Sequence, residues 1–132
     1  MIAAKWRILF ACLLLLAALS LCIRHVIPSG LGGMKQIIPY LFFSVDRGRY
    51  TSPAGTLQVR VISNDAGAAH SGHFPTWVIV QHWWGKEVVA KGYLESSRGS
   101  VPLVWLDETS FSIKFAQNRH GGDKETVEVQ LR

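Results

Sequence analysis

Five histidines, with scattered serines and carboxylates, are the residues of this chain best able to do chemistry. His70-Ser71-Gly72-His73 is the one metal-like spacing, and His82 or Asp65 would have to complete a three-ligand site. Zinc sites need three or four convergent ligands and outer partners that orient them. A His-x-x-His pair in a loop of small residues supplies two. A metal-carrying or enzymatic reading therefore rests on His70, His73 and His82 coming together. Nucleophilic chemistry has less support. No serine lies in a nucleophile-elbow pattern, and no Gly-rich phosphate loop opens a helix. The expectation is a protein that is not an enzyme, with no cofactor and no resident metal.

The aromatic residues say more. Trp77, His82, Trp83, Trp84 and Tyr93 fall in two apolar runs that read as one hairpin. Adjacent residues of a regular strand point to opposite faces. One of Trp83 and Trp84 then belongs to the core, and the other is exposed or membrane-facing, unless the sheet and the segment 37–45 cover both. An exposed Trp beside Gly85 and Lys86 makes a contact anchor. Trp83, Trp84 and Tyr93 are thus the candidate partner-binding residues.

These residues have to be positioned by the rest of the chain, which is organised around Ile8–Ile23, sixteen residues without charge, Gly or Pro. A hydrocarbon core of about 30 Å takes roughly 20 helical residues, with a lower limit near 17. Ala3, Ala4 and Trp6 extend the helix on one side and Val26 and Ile27 on the other, while Lys5, Arg7 and Arg24 snorkel to the surface. Residues 1–27 are expected to form a membrane anchor that meets lipid through Trp6, Ile8, Leu14, Leu19 and Ile23. The alternative is a cleaved signal peptide, which also starts basic and continues apolar. Its exit is poor, because bulky Leu21 precedes Cys22 and Pro28 and Arg24 interrupt the approach to Ser29-Gly30. Lys5 and Arg7 favour a cytoplasmic N-terminus, against the weaker pull of Arg24. The expected location is the inner (cytoplasmic) membrane, single-pass, with the C-terminal domain outside; after signal cleavage it would be periplasmic or secreted.

The formal net charge of +5 does not indicate a nucleic-acid partner. Lys5, Arg7, Arg24 and Lys35 precede the first acid, Asp46, and from there ten Lys/Arg face nine Asp/Glu. A nucleic-acid domain carries a basic face of its own. Cys12 and Cys22 both lie in the apolar stretch, about 15 Å apart along a helix, too far to bridge. The downstream domain must be held by packing.

Pro28–Lys35 breaks the first helix with Pro and three Gly. Ile37–Val45 is apolar, is split by Pro39, and is too short to span; it either lies in the interface or leads into the core. Residues 28–45 therefore read as a joint and an interfacial segment. Residues 46–132 read as an extracytoplasmic antiparallel β domain, a sandwich or curved sheet of about six strands. Leu57/Val59/Val61, Phe111/Ile113/Phe115 and Val127/Val129/Leu131 alternate with polar residues. Trp77–Val80 is apolar throughout, as in a strand buried on both faces. Glu87–Leu94 and Val104–Leu106 complete the set. Trp84-Gly85-Lys86 and Asn118–Asp123 read as hairpin turns, and Asn64–Phe74 as a longer loop.

Tyr50-Thr51-Ser52-Pro53-Ala54-Gly55 with the strand after it, and later Val104-Trp105-Leu106-Asp107 with the strand to Ile113, resemble a loose group of small bacterial envelope proteins. These have an N-terminal anchor or signal and one β domain, with a Ser-Pro-Asp-Gly turn and a late Trp-x-Asp. Pro fixes φ in such a turn and Gly relieves its end. Ala54 replaces the Asp. The resemblance implies fold and location and carries no active site. The function expected is a binding or protective, immunity-like module for an envelope partner; a metal-binding or enzymatic domain and a structural envelope subunit are the alternatives.

Overall fold

The structure is a computed structural model that describes residues 2–64, 73–95, 101–118 and 121–132. The chain is mainly β, with an N-terminal apolar helix. That helix, α1 (Ile2–Val26), has no buried residue. It is long and apolar enough to cross a membrane, a property it shares with signal sequences. Cys12 and Cys22 are exposed free thiols on it.

After the Gly-rich joint, α2 (Met34–Phe43) runs through Pro39. Proline forfeits one backbone bond there, and packing of one face holds the helix. Tyr40 is buried edge-on to Trp77, ring centroids 5.7 Å apart at 77°, and Ile37 packs beside it. Ile38, Leu41, Phe42 and Phe43 stay exposed. The segment thus leads into the core on one side and leaves an apolar face on the other.

Seven antiparallel strands follow, one more than the sequence suggests. β1 (Ser44–Thr51) is the addition, and it begins before the boundary expected at Asp46. Its Asp46, Arg47 and Arg49 mask any alternation. A bulge at Arg47–Gly48, where the ladder steps from Asp46 to Gly48 and Gly48 has φ +130°, shifts its register against β2 (Gln58–Asn64). β3 (His73–His82) and β4 (Gly85–Glu95) form the long central hairpin. β4 meets β6 (Ser110–Asn118) at a single paired position, Tyr93 with Ala116. β5 (Leu103–Trp105) and β7 (Gly121–Gln130) also pair with β6. The sheet is open, ordered β1-β2-β3-β4-β6-β5 with β7 alongside β6.

Strand alternation builds two cores. Val59 and Val61 of β2, Val78 and Val80 of β3 and Phe111, Ile113 and Phe115 of β6 face one interior. Because β2, β3 and β6 all contribute to it, the sheet folds over this cluster. Ile62, Trp77 and Ile79 point the other way and are covered by Leu31 and Tyr40, with Ile27 and Ile37 beside them. Val78 is fully buried and Trp77 and Ile79 nearly so, so β3 is covered on both faces as its composition suggests. Burying each such side chain is worth about 1.5–3 kcal/mol. On the same face as the first core, Ser63 and Thr76, paired across β2 and β3, share a hydroxyl hydrogen bond of 2.8 Å.

Two turns fix the far corner. Gly55 N donates to Ser52 O at 2.8 Å and Leu57 N to Ser52 Oγ at 3.0 Å, so Ser-Pro-Ala-Gly is the expected β-turn. Asp107 Oδ1 accepts from Thr109 N and Ser110 N, both at 2.7 Å. Glu108 joins the two turns by accepting from Ala54 N at 2.5 Å and Thr56 Oγ1 at 3.1 Å. The turn that lacks an Asp at position 54 therefore takes a carboxylate from the second motif.

Hydrogen bonding from Ser110 and Thr109 holds the Asp107 carboxyl below the usual carboxylate range. At Asp46, burial pushes the carboxyl up. The hydrogen bonds from Arg60 and Gly48 and the charges of Arg60 and Arg49 outweigh it, leaving a net depression. Carboxyls depressed in the folded state contribute stability above their unfolded values and lose it as pH falls through the folded ones. The melting temperature is expected to hold from neutrality to about pH 5 and to drop below about pH 4. Asp46→Asn with Asp107→Asn should flatten that drop, as read by circular dichroism melts across pH.

Candidate functional site

The residues with functional potential lie in three places. The first is the tip of the β3–β4 hairpin. His82 pairs with Gly85, so Trp83 and Trp84 form a two-residue turn, one position earlier than expected. Neither has positive φ; the unusual conformation falls on Gly85, at φ +143°. Being in a turn, the two tryptophans do not divide between faces of a strand. Trp83 is 87% exposed. Trp84 is half-buried and lies flat on His82, centroids 4.6 Å apart and rings 8° from parallel. His82 Nε2 is 2.9 Å from Glu87 Oε2, which holds the stack in place.

The end of α1 rests on this hairpin. A Cβ on Gly85 would fall 2.6 Å from Arg24 Cβ and 2.7 Å from its carbonyl oxygen. His25 Nδ1 is 3.0 Å from Gln81 Nε2. Three residues past the helix, Ser29 joins the edge of β4: its N–H donates to Lys86 O and its carbonyl accepts from Val88 N, both at 2.8 Å.

The second place is a pair of clefts. One, of about 500 Å³, is bounded by His82, Trp84, Glu87, Val89, Val129 and Leu131. The other, of about 410 Å³, opens between the start of α2 and the folded sheet, against Leu31, Gln36, Trp77, Lys91, Tyr93 and Phe115. Gly92 lines the second cleft against Phe115. A Cβ there would lie 2.3 Å from Phe115 Cγ, and Phe115 is buried. Gly92→Ala should therefore displace that ring and cost about 1–3 kcal/mol, seen as a lowered urea midpoint with an altered near-ultraviolet spectrum. The third place is the outward face of α2, where Phe42 is 74% exposed.

This geometry divides the expected sites. Tyr93 is eight residues along β4 from Gly85, roughly 26 Å at strand rise, so it lines a different cleft from Trp84. His73 opens β3 and His82 closes it, roughly 30 Å apart by the same rise. They cannot hold one metal ion, and the His70/His73/His82 set does not converge. Each has an acidic neighbour of its own instead: Glu95 lies 3.9 Å from His73 and Glu87 2.9 Å from His82. His70 and Asp65, and residues 65–72 of the expected loop, lie outside the described residues. Arg47 and Arg49 are on β1 and Arg60 is on β2. Arg60 Nε reaches Asp46 Oδ2 at 2.8 Å, and the Arg47 guanidinium sits 5.3 Å from the centroid of the Phe74 ring.

Sequence reasoning missed the docking of α1 on Gly85 and the Glu108 bridge. Gly85 after a Trp pair was the available signal for the first; nothing local marks the second. Comparison with protein-family models, curated proteins and solved structures finds no match to this chain.

Proposed function

We propose that this is a single-pass protein of the inner (cytoplasmic) membrane whose β domain lies outside the cytoplasm and binds an envelope partner as a protective, immunity-like module. The observation that carries the reading is α1. All of its residues are unburied, none belongs to either core, and a helix apolar on every side needs a solvent other than water. The contacts of Arg24 and His25 with the hairpin favour a retained anchor over a cleaved leader, since cleavage after α1 would discard them. Lys5 and Arg7 set the domain outside. The outward face of α2 lies at the membrane interface. The partner is met at the clefts beside Trp84 and Tyr93, the first lined mainly by polar groups and the second mainly by apolar ones.

Photo-crosslinking in cells tests the binding role. A benzophenone amino acid at Trp84 or Tyr93 should give an adduct of one discrete mass, absent when the probe replaces exposed Lys124. Adducts at neither cleft, in a protein that still fractionates with membranes, would contradict a partner at these surfaces.

A further inference from the structure

We propose that the Trp83 tip of the β3–β4 hairpin is a second membrane contact, seated in the phospholipid headgroup layer beside the end of α1. The proposal rests on the reading of α1 as a span.

Three observations carry it. First, the hairpin is fixed to the end of the helix. Arg24 sits against Gly85 closely enough to exclude a Cβ, His25 meets Gln81, and Ser29 is bonded into the edge of β4. Trp83 is two residues from Gly85, about 7 Å of strand at most. It therefore stays near Arg24 whatever the tilt of α1. Second, Arg24 is the first charge after the sixteen apolar residues Ile8–Ile23. A span places such a residue at headgroup depth, and Trp83 with it. Third, the fold gives no reason for this residue. Two-residue hairpin turns favour Gly, Asn and Asp, whereas here an indole stands 87% exposed. Trp84 next to it is held by His82; Trp83 has no such ring beneath it among the described residues. Trp is the side chain enriched at membrane interfaces, where its ring is half apolar and its N–H reaches water and headgroups. Lys86, on the strand leaving the tip, adds a cation at the same level. Continuity with the span selects lipid as the occupant.

With α1 and Trp83 both in the bilayer, the domain is held at two points and its clefts are presented at a fixed angle. The test uses the full chain with Cys12→Ala and Cys22→Ala, carrying one new cysteine at a time: Leu14→Cys, Trp83→Cys or Lys124→Cys. Each is labelled with a fluorophore and reconstituted in phosphatidylcholine–phosphatidylglycerol vesicles that contain nitroxide lipids, either at the headgroup or deep in the acyl chains. Lys124 reports from the far end of the domain, near Glu95. The expected result is deep-nitroxide quenching at position 14, and headgroup-nitroxide quenching at position 83 at least threefold stronger than at 124. Quenching at 14 with equal, weak quenching at 83 and 124 overturns the proposal and leaves the span standing. Absence of lipid quenching at 14 overturns the span and this proposal with it.

Discussion

Leu14→Arg combined with Leu16→Arg is expected to abolish membrane retention of the protein. Both leucines are exposed near the middle of α1, so neither substitution disturbs the β domain. An arginine at the centre of a span costs roughly 2.5–3.5 kcal/mol on insertion scales. Two of them cancel most of what the remaining leucines and isoleucines contribute. The readout is alkaline-carbonate fractionation. The parent chain should stay in the membrane pellet, and the double variant should move to the supernatant or be degraded. The same substitutions in a soluble protein would leave fractionation unchanged, so full retention of the variant would remove the basis for calling α1 an anchor.

Phe111→Ala should produce the largest loss of folding stability. Phe111 is fully buried on β6, its ring edge-on to Trp105 at 5.5 Å, and it belongs to the interior over which the sheet folds. A buried Phe→Ala truncation costs about 3–5 kcal/mol, against a total that for a small domain is about 5–15 kcal/mol. Urea unfolding in detergent micelles, followed by tryptophan fluorescence, should show the midpoint fall by about a fifth or more with an unchanged slope. A loss under about 1 kcal/mol would mean that β6 and β2–β3 do not share a core.

The parts of this fold that were legible were those where apolar residues run unbroken or alternate with a period. Ile8–Ile23 announces α1, and the alternating valines and phenylalanines of β2, β6 and β7 announce strands with one covered face. Trp77–Val80 announces a strand covered on both. β1 was hidden because an edge strand need not alternate: its Asp46 and Arg49 face solvent, and the Gly48 bulge interrupts the period. α2 was hidden because Pro39 argues against a helix, and the tertiary contact of Tyr40 with Trp77 overrides it. The hairpin turn moved by one residue because Gly85 supplies positive φ at the first strand position rather than inside the turn.

The candidate residues can be picked out one by one in the sequence, but the structure does not bring them together, for a reason that lies in strand geometry. Histidines nine residues apart on one strand point to separate regions, as do Trp83 and Tyr93. The pairing that does exist joins Glu108 to Ala54 and Thr56. It spans more than fifty residues of chain and depends on how the sheet folds over, which no local pattern encodes. It gives the Ser-Pro-Ala-Gly and Trp-Leu-Asp-Glu motifs a shared structural purpose, fixing one corner of the domain.

The anchored, outward-facing topology is tested most directly by protease accessibility in spheroplasts, with the intact mass of the membrane-bound protein read on the same sample. For an anchored module the β domain is digested from outside, and the undigested protein has a mass that still includes Met1–Val26. A mass lacking that segment would make the domain a secreted one, and a domain protected inside the spheroplast would reverse the orientation; either result contradicts an anchored module facing out of the cytoplasm.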